Sequence, residues 1–143
     1  MCELYESVSR KKVKGYKIVA KKRGGKRYYS IAMGFKYPLD GHIPVVRNQR
    51  KISSGFRDGI ILESSAARRK DMIGRTAIFP DLSDACGEYR YLQGRNIEKG
   101  YKIVIVLVEL SVDMMKGRYG GRKVVAGRYI RFIEEVQVTS GEE

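Results

Sequence analysis

Nine cations and three tyrosines stand in the pattern that grips phosphates and stacks on bases. Arg27-Tyr28-Tyr29, Arg118-Tyr119 and Arg128-Tyr129-Ile130-Arg131 each set an aromatic ring beside a guanidinium. Arg holds a phosphate through two parallel N–H bonds, and a tyrosine ring stacks on a base. The candidate phosphate contacts are Lys21, Arg23, Lys26, Arg27, Arg118, Arg122, Lys123, Arg128 and Arg131. Tyr28, Tyr119 and Tyr129 are the candidate stacking rings, and Arg47, Arg50, Lys51 and Arg57 are candidates for a segment that closes over the ligand. Tyrosines also flank strands because they pack well there and keep a wet hydroxyl. The expectation therefore rests on the cationic blocks and not on any one ring.

Catalytic chemistry is thinly represented. His42 is the single histidine, in the turn-like Asp40-Gly41-His42, so a zinc site built on several histidines is excluded within one chain. Cys2 and Cys86 are not at ligand spacing and read as two free thiols. Asp84 and Glu88 stand four apart and could share a divalent ion with Asp81, but acids at this spacing ordinarily line a solvated helix face. No Gly-x-Ser-x-Gly, Gly-x-Gly-x-x-Gly or Gly-Lys-Ser/Thr loop occurs. Arg23-Gly24-Gly25-Lys26 alone reads as a plain turn before it reads as a phosphate loop. A phosphodiesterase or transferase using Tyr with Lys or Arg would lack a base. Binding without catalysis, metal or cofactor is the expectation.

The chain has 143 residues, 43% of them apolar and 31% charged, which suits one globular domain with a real core. Its net charge is +13. Residues 10–51 hold 14 Lys and Arg against the lone Asp40, and residues 116–131 hold six with no acid. Charge in two blocks produces a directional field, which bears on partners more than on fold. Nucleic acid, a phosphorylated small ligand, an acidic protein surface or an anionic membrane would answer it. The start, MCELYESVSRKK, has no apolar core segment, so no signal peptide is expected. Nor does any apolar run reach membrane-spanning length. A cytoplasmic protein without membrane contact is expected.

The elements that must position these residues follow from periodicity. Gly15 to Ile31 reads as a hairpin, with Gly24-Gly25 as a two-residue type I′ turn. That register sets Arg23 against Lys26, Lys22 against Arg27, Lys21 against Tyr28 and Ala20 against Tyr29. Two rungs would then be cation against cation, which is destabilising unless an anion neutralises them. Tyr119-Gly120-Gly121-Arg122 repeats the logic. Residues 1–12 read as a polar leader, and 38–74 as a long irregular segment suited to covering a ligand or joining subunits. Arg75 to Phe79 is a short strand ended by Pro80. Asp81 caps a helix to about Gln93, with Leu82, Ala85, Cys86, Tyr89 and Leu92 at helical spacing. Tyr101 to Val112 is apolar on both alternating faces between Ile103 and Val108, as in a strand covered on both sides. Arg128 to Val138 is a last strand, irregular near Glu134-Glu135. Lys-Gly-Tyr-Lys-Ile-Val occurs twice, at 14–19 and 99–104. The predicted fold is α+β: a twisted, mainly antiparallel sheet of five to seven strands, with the helix over about 81–93 packed on it.

Lys26-Arg-Tyr-Tyr-Ser with Gly34-Phe-Lys-Tyr, Gly74-Arg-Thr-Ala-Ile-Phe before Leu82-Ser-Asp-Ala, and Tyr119-Gly-Gly with Ala126-Gly127 resemble a pattern in small phage and prophage accessory proteins. The resemblance implies a viral accessory role, such as anti-defence activity, and assigns no residue a role. Two functions are then expected. One is a homo-oligomer sequestering an anionic nucleotide, such as a host defence signal. The other is a sequence-tolerant DNA or RNA binder, as a virion component or an inhibitor of a nucleic-acid-guided nuclease.

Overall fold

The run Tyr101–Ser111 forms the central strand of the larger sheet because both of its faces are apolar and both are covered. Ile105, Val106, Val108 and Leu110 are fully buried along it. Each such side chain contributes about 1.5–3 kcal/mol when removed from water. The computed structural model describes residues 2–31, 36–44, 74–93 and 99–138. The described strands are β1 (Cys2–Ser7), β2 (Lys12–Lys22), β3 (Tyr28–Tyr29), β4 (Asp40–His42), β5 (Thr76–Ile78), β6 (Tyr101–Ser111), β7 (Met115–Tyr119), β8 (Arg122–Gly127) and β9 (Tyr129–Val136). One helix, α1 (Leu82–Gln93), lies between β5 and β6. One sheet runs β1-β7-β8-β5 and the other β3-β2-β6-β9-β4, all antiparallel. The architecture is the expected α+β with one principal helix, and its strands divide between two sheets. Residues 2–7, expected within a polar leader, pair with β7 instead.

The sheets join at one point on β2. Tyr16 and Phe79 exchange two backbone hydrogen bonds, at 2.7 and 2.9 Å. Gly15 allows that approach: a Cβ there would sit 2.7 Å from both the Phe79 carbonyl oxygen and the Ile78 Cδ1. Two apolar clusters lie on opposite faces of β2 and β6. Ile18, Ala20, Ile103 and Ile105 pack with Ala85 and Leu92 of α1. Val19, Val106, Val108 and Leu110 pack with Ile78, Val125 and Tyr37. The helix starts as its sequence directs, with the Asp81 carbonyl accepting the Ala85 N–H and Asp84 in the first turn.

The two Gly-Gly turns differ. At β7–β8, Gly120 and Gly121 both have positive φ, 57° and 82°, and Tyr119 pairs with Arg122. This is the expected type I′ geometry. In the first hairpin only Gly24 is left-handed, at φ 78°. The Gly25 N–H bonds to the Lys22 carbonyl, so Arg23 and Gly24 occupy the turn's centre. The turn thus lies one residue earlier than expected. Pairing with β3 is limited to Ala20–Tyr29 and Lys21–Tyr28, so the expected cation rungs Arg23–Lys26 and Lys22–Arg27 do not form. The Arg23 N–H is taken by the Gly100 carbonyl at 2.9 Å, which draws this end of the hairpin toward β6.

Candidate functional site

Lys21 projects from β2 on the same face as Val19 and is largely buried. Its Nζ donates to Glu135 Oε2 at 2.5 Å, and Tyr28 OH donates to the same oxygen at 2.9 Å. The Tyr28 ring stacks on Phe132 with centroids 4.8 Å apart. Lys21 also faces Lys102 across the ladder. Like charges on one rung repel, and Glu135 offsets that repulsion. The bonded Lys21 ammonium, reinforced by the Tyr28 hydroxyl and the Lys102 charge, holds the Glu135 carboxyl below its ordinary pKa. Burial, with the hydrogen bond to Glu135, pushes the Tyr28 phenol up to about 12. Lys21 and Tyr28 thus have internal work.

Arg122, Tyr119 and the helix form a second group. Glu88 is buried rather than on the solvated helix face expected of it. Its carboxylate accepts from Arg122 Nη1 at 3.1 Å and from Tyr119 OH at 3.3 Å. Gly87 accounts for the room: a Cβ there would lie 2.8 Å from Arg122 Nη2. The helix accepts a weak helix-former so that the guanidinium can cross it.

Arg128 and Arg131 answer acids at the opposite end of β6. Val112 and Asp113 turn the chain with φ of 66° and 52°. Asp113 Oδ2 is then held by Arg128 Nε at 2.7 Å and Arg75 Nη2 at 3.1 Å. These bonds keep the Asp113 carboxyl below its usual range, with the Arg128 hydrogen bond foremost. Arg131 reaches Glu109 at 3.4 Å, and Lys12 approaches the same oxygen at 3.8 Å. Tyr129 hydrogen-bonds Asp40, which raises the phenol's pKa, and its ring meets His42 edge-on at 4.9 Å.

A different set of cations keeps its charge toward solvent. Arg23, Lys26, Arg27, Arg118 and Lys123 are all exposed. Arg27 reaches only the Tyr37 carbonyl, at 3.5 Å, and Arg118 the Gly121 carbonyl, at 3.3 Å. A carbonyl orients a guanidinium but does not cancel its charge. Among the described residues none of these five has an ion pair with a carboxylate. Lys22, beside them, lies 6.0 and 5.9 Å from the Tyr29 and Tyr101 ring centres. Arg47, Arg50, Lys51 and Arg57 lie outside the described residues.

The nine candidate phosphate contacts therefore separate into four that are neutralised by acids and five that are not. Sequence spacing singled out Glu88 only as a candidate ion ligand and Glu135 only as a strand irregularity, because their partners are 34 and 114 positions away. Glu88 had one local signal, its position between Ala85 and Leu92 on the buried face of the helix. Among the described residues, no three His, Cys, Asp or Glu side chains gather as metal ligands, and no helix is long and apolar enough to cross a membrane. No family model matches the chain, and neither a curated protein nor a solved structure matches it.

Proposed function

We propose that the protein binds nucleic acid without strong sequence preference, through phosphates. One observation carries this reading: five of the exposed candidate cations have no carboxylate partner among the described residues, while Tyr28, Tyr119 and Tyr129 are each hydrogen-bonded to a carboxylate. Tyr28 is stacked on Phe132 and bonded to Glu135, Tyr119 is bonded to Glu88, and Tyr129 is tied to Asp40. Arg23, Lys26 and Arg27 at the first hairpin end, and Arg118 at the second, supply exposed positive charge. Phosphate contacts give affinity and position, not sequence. The net charge of +13 favours rapid encounter with a polyanion. A sequestered small nucleotide built on the same tyrosines would have to displace these internal bonds, so this reading ranks second. A viral accessory role, as a virion component or nuclease inhibitor, is compatible with the first.

The test is fluorescence anisotropy with two labelled single strands of unrelated sequence, over a salt series. Four phosphate contacts predict a log–log salt slope of about −3 on single strands, and similar affinity for both sequences. Arg23→Ser, Lys26→Ser and Arg27→Ser together should weaken both about tenfold or more while leaving the fold intact. Salt-independent binding, or a strong preference for one sequence, would overturn the reading.

A further inference from the structure

A groove of about 510 Å³ opens beside β1, β7, β8 and the link between β1 and β2. It is half-open, and its size lies within the range of small-ligand sites. Arg10, Lys116 and Lys123 line it with a single carboxylate, Glu6. Lys116 is bound to that carboxylate at 2.7 Å, which leaves Arg10 and Lys123 without an acidic partner among the described residues. Val8, Val13 and Val125 add apolar surface to the lining, and the exposed Tyr5 lines it as well.

The ladder explains why the charge persists here. Arg118 faces Lys123 directly across β7–β8, and like charges so placed repel. At the matching rung of the other sheet, Lys21–Lys102, Glu135 supplies the counter-charge. Glu3 stands opposite Arg118 on β1, yet among the described residues no ion pair joins it to Arg118 or Lys123. A dianion lodged between Arg10 and Lys123 would supply what Glu135 supplies elsewhere. The valines of the lining and Tyr5 suit a flat, partly apolar body attached to it.

We propose that this groove is a site for a phosphomonoester carried on a nucleotide-sized body, contacted by Arg10 and Lys123 and flanked by Tyr5. Two sources share that chemistry: a free nucleotide, and the 5′-phosphorylated end of a strand. Arg23, Lys26 and Arg27 are not among its lining residues, and the proposal does not depend on strand binding by them.

Calorimetric titration of the full chain with adenosine 5′-monophosphate, against adenosine, tests the free ligand. One-site binding of the monophosphate is expected, at least tenfold tighter than the nucleoside. Amide shifts on its addition should map to Tyr5, Val8 and Val125, a readout that needs no variant. The Arg10→Gln/Lys123→Gln protein, checked for an unchanged melting temperature, should bind it at least tenfold more weakly. In the strand arm, a preference for 5′-phosphorylated over 5′-hydroxyl oligonucleotide that disappears in this double variant would make the strand end the source. Loss of sequence-tolerant strand binding with monophosphate binding retained would sink the preceding proposal alone. Equal or absent binding of monophosphate and nucleoside, with no 5′-phosphate preference, would overturn this one, as would a folded double variant that binds like the parent.

Discussion

Residues 14–19 and 99–104 carry the same six residues, Lys-Gly-Tyr-Lys-Ile-Val, and enter neighbouring strands of one sheet in opposite senses. Their alternation is used identically. Tyr16 and Tyr101 turn toward the helix-side cluster with Ile18 and Ile103, and Val19 and Val104 turn to the other face. Their glycines are used in opposite ways. Gly15 is buried within β2, where its missing Cβ lets Phe79 approach. Gly100 lies in open space at φ 90°, turning the chain into β6. The lysines diverge as well. Lys17 donates to the Ala77 carbonyl at 2.8 Å, whereas Lys102 stands exposed and helps hold Glu135 ionised. Period-two alternation is a property of the local chain; what a glycine or a lysine end-group does depends on what distant chain arrives beside it.

The sharpest break of this pair is Gly15→Ala. Its Cβ would press on a backbone carbonyl that cannot rotate away, so a loss of about 3 kcal/mol is expected in urea unfolding. Gly100→Ala meets no neighbour and should lose only the cost of a left-handed residue, about 1–2 kcal/mol. Equal losses would mean that the Tyr16–Phe79 junction is not what Gly15 is for.

Ile18→Val and Ile103→Val test the half that is shared. Both isoleucines are 7% exposed in one cluster, so each should cost about 1 kcal/mol, and the two should agree. A large difference would deny the common face.

Glu135→Gln removes the carboxylate that Lys102 helps hold and Lys17 never meets. The wild-type carboxyl is held below its ordinary pKa, so its contribution is present above that ordinary value and is lost as pH falls through the lowered one. The Gln variant should show a shallower loss of stability on acidification. At the alkaline end the sign is reversed. With its phenol raised to about 12, Tyr28 stabilises the fold below its ordinary value, and that contribution is lost as pH rises through about 12. In the variant the Tyr28 resonance should titrate lower, yet still above an ordinary tyrosine, because burial is the larger cause and remains.

Gly87→Ala should have the smallest effect. Added helix propensity of about 1 kcal/mol opposes the displacement of Arg122 from Glu88, so thermal unfolding should shift little. Tyr119 and Arg122 should nevertheless change environment by NMR.

Much of the fold was legible because it rests on local rules. The two-sided burial of β6, the helix after Asp81 and the paired left-handed glycines at Gly120-Gly121 each follow from residues within a few positions. The register Ala20–Tyr29 and Lys21–Tyr28 was legible too, although the turn beyond it slipped by one residue once Gly100 took the Arg23 N–H. The candidate site was legible only as a supply of cations. Which of them remain charged toward solvent was decided by Glu88, Glu109, Asp113 and Glu135, acids brought to them by strand pairing and helix packing.

The alternating faces, the helix and the excess of positive charge depend on side-chain type and chain geometry alone, and are readable from residue order. That Lys21, Arg122, Arg128 and Arg131 meet acids while Arg23, Lys26, Arg27, Arg118 and Lys123 do not follows from how the chain folds back on itself. Charge compensation acts across a few ångströms of space, and in this chain that space is crossed by residues up to 114 positions apart.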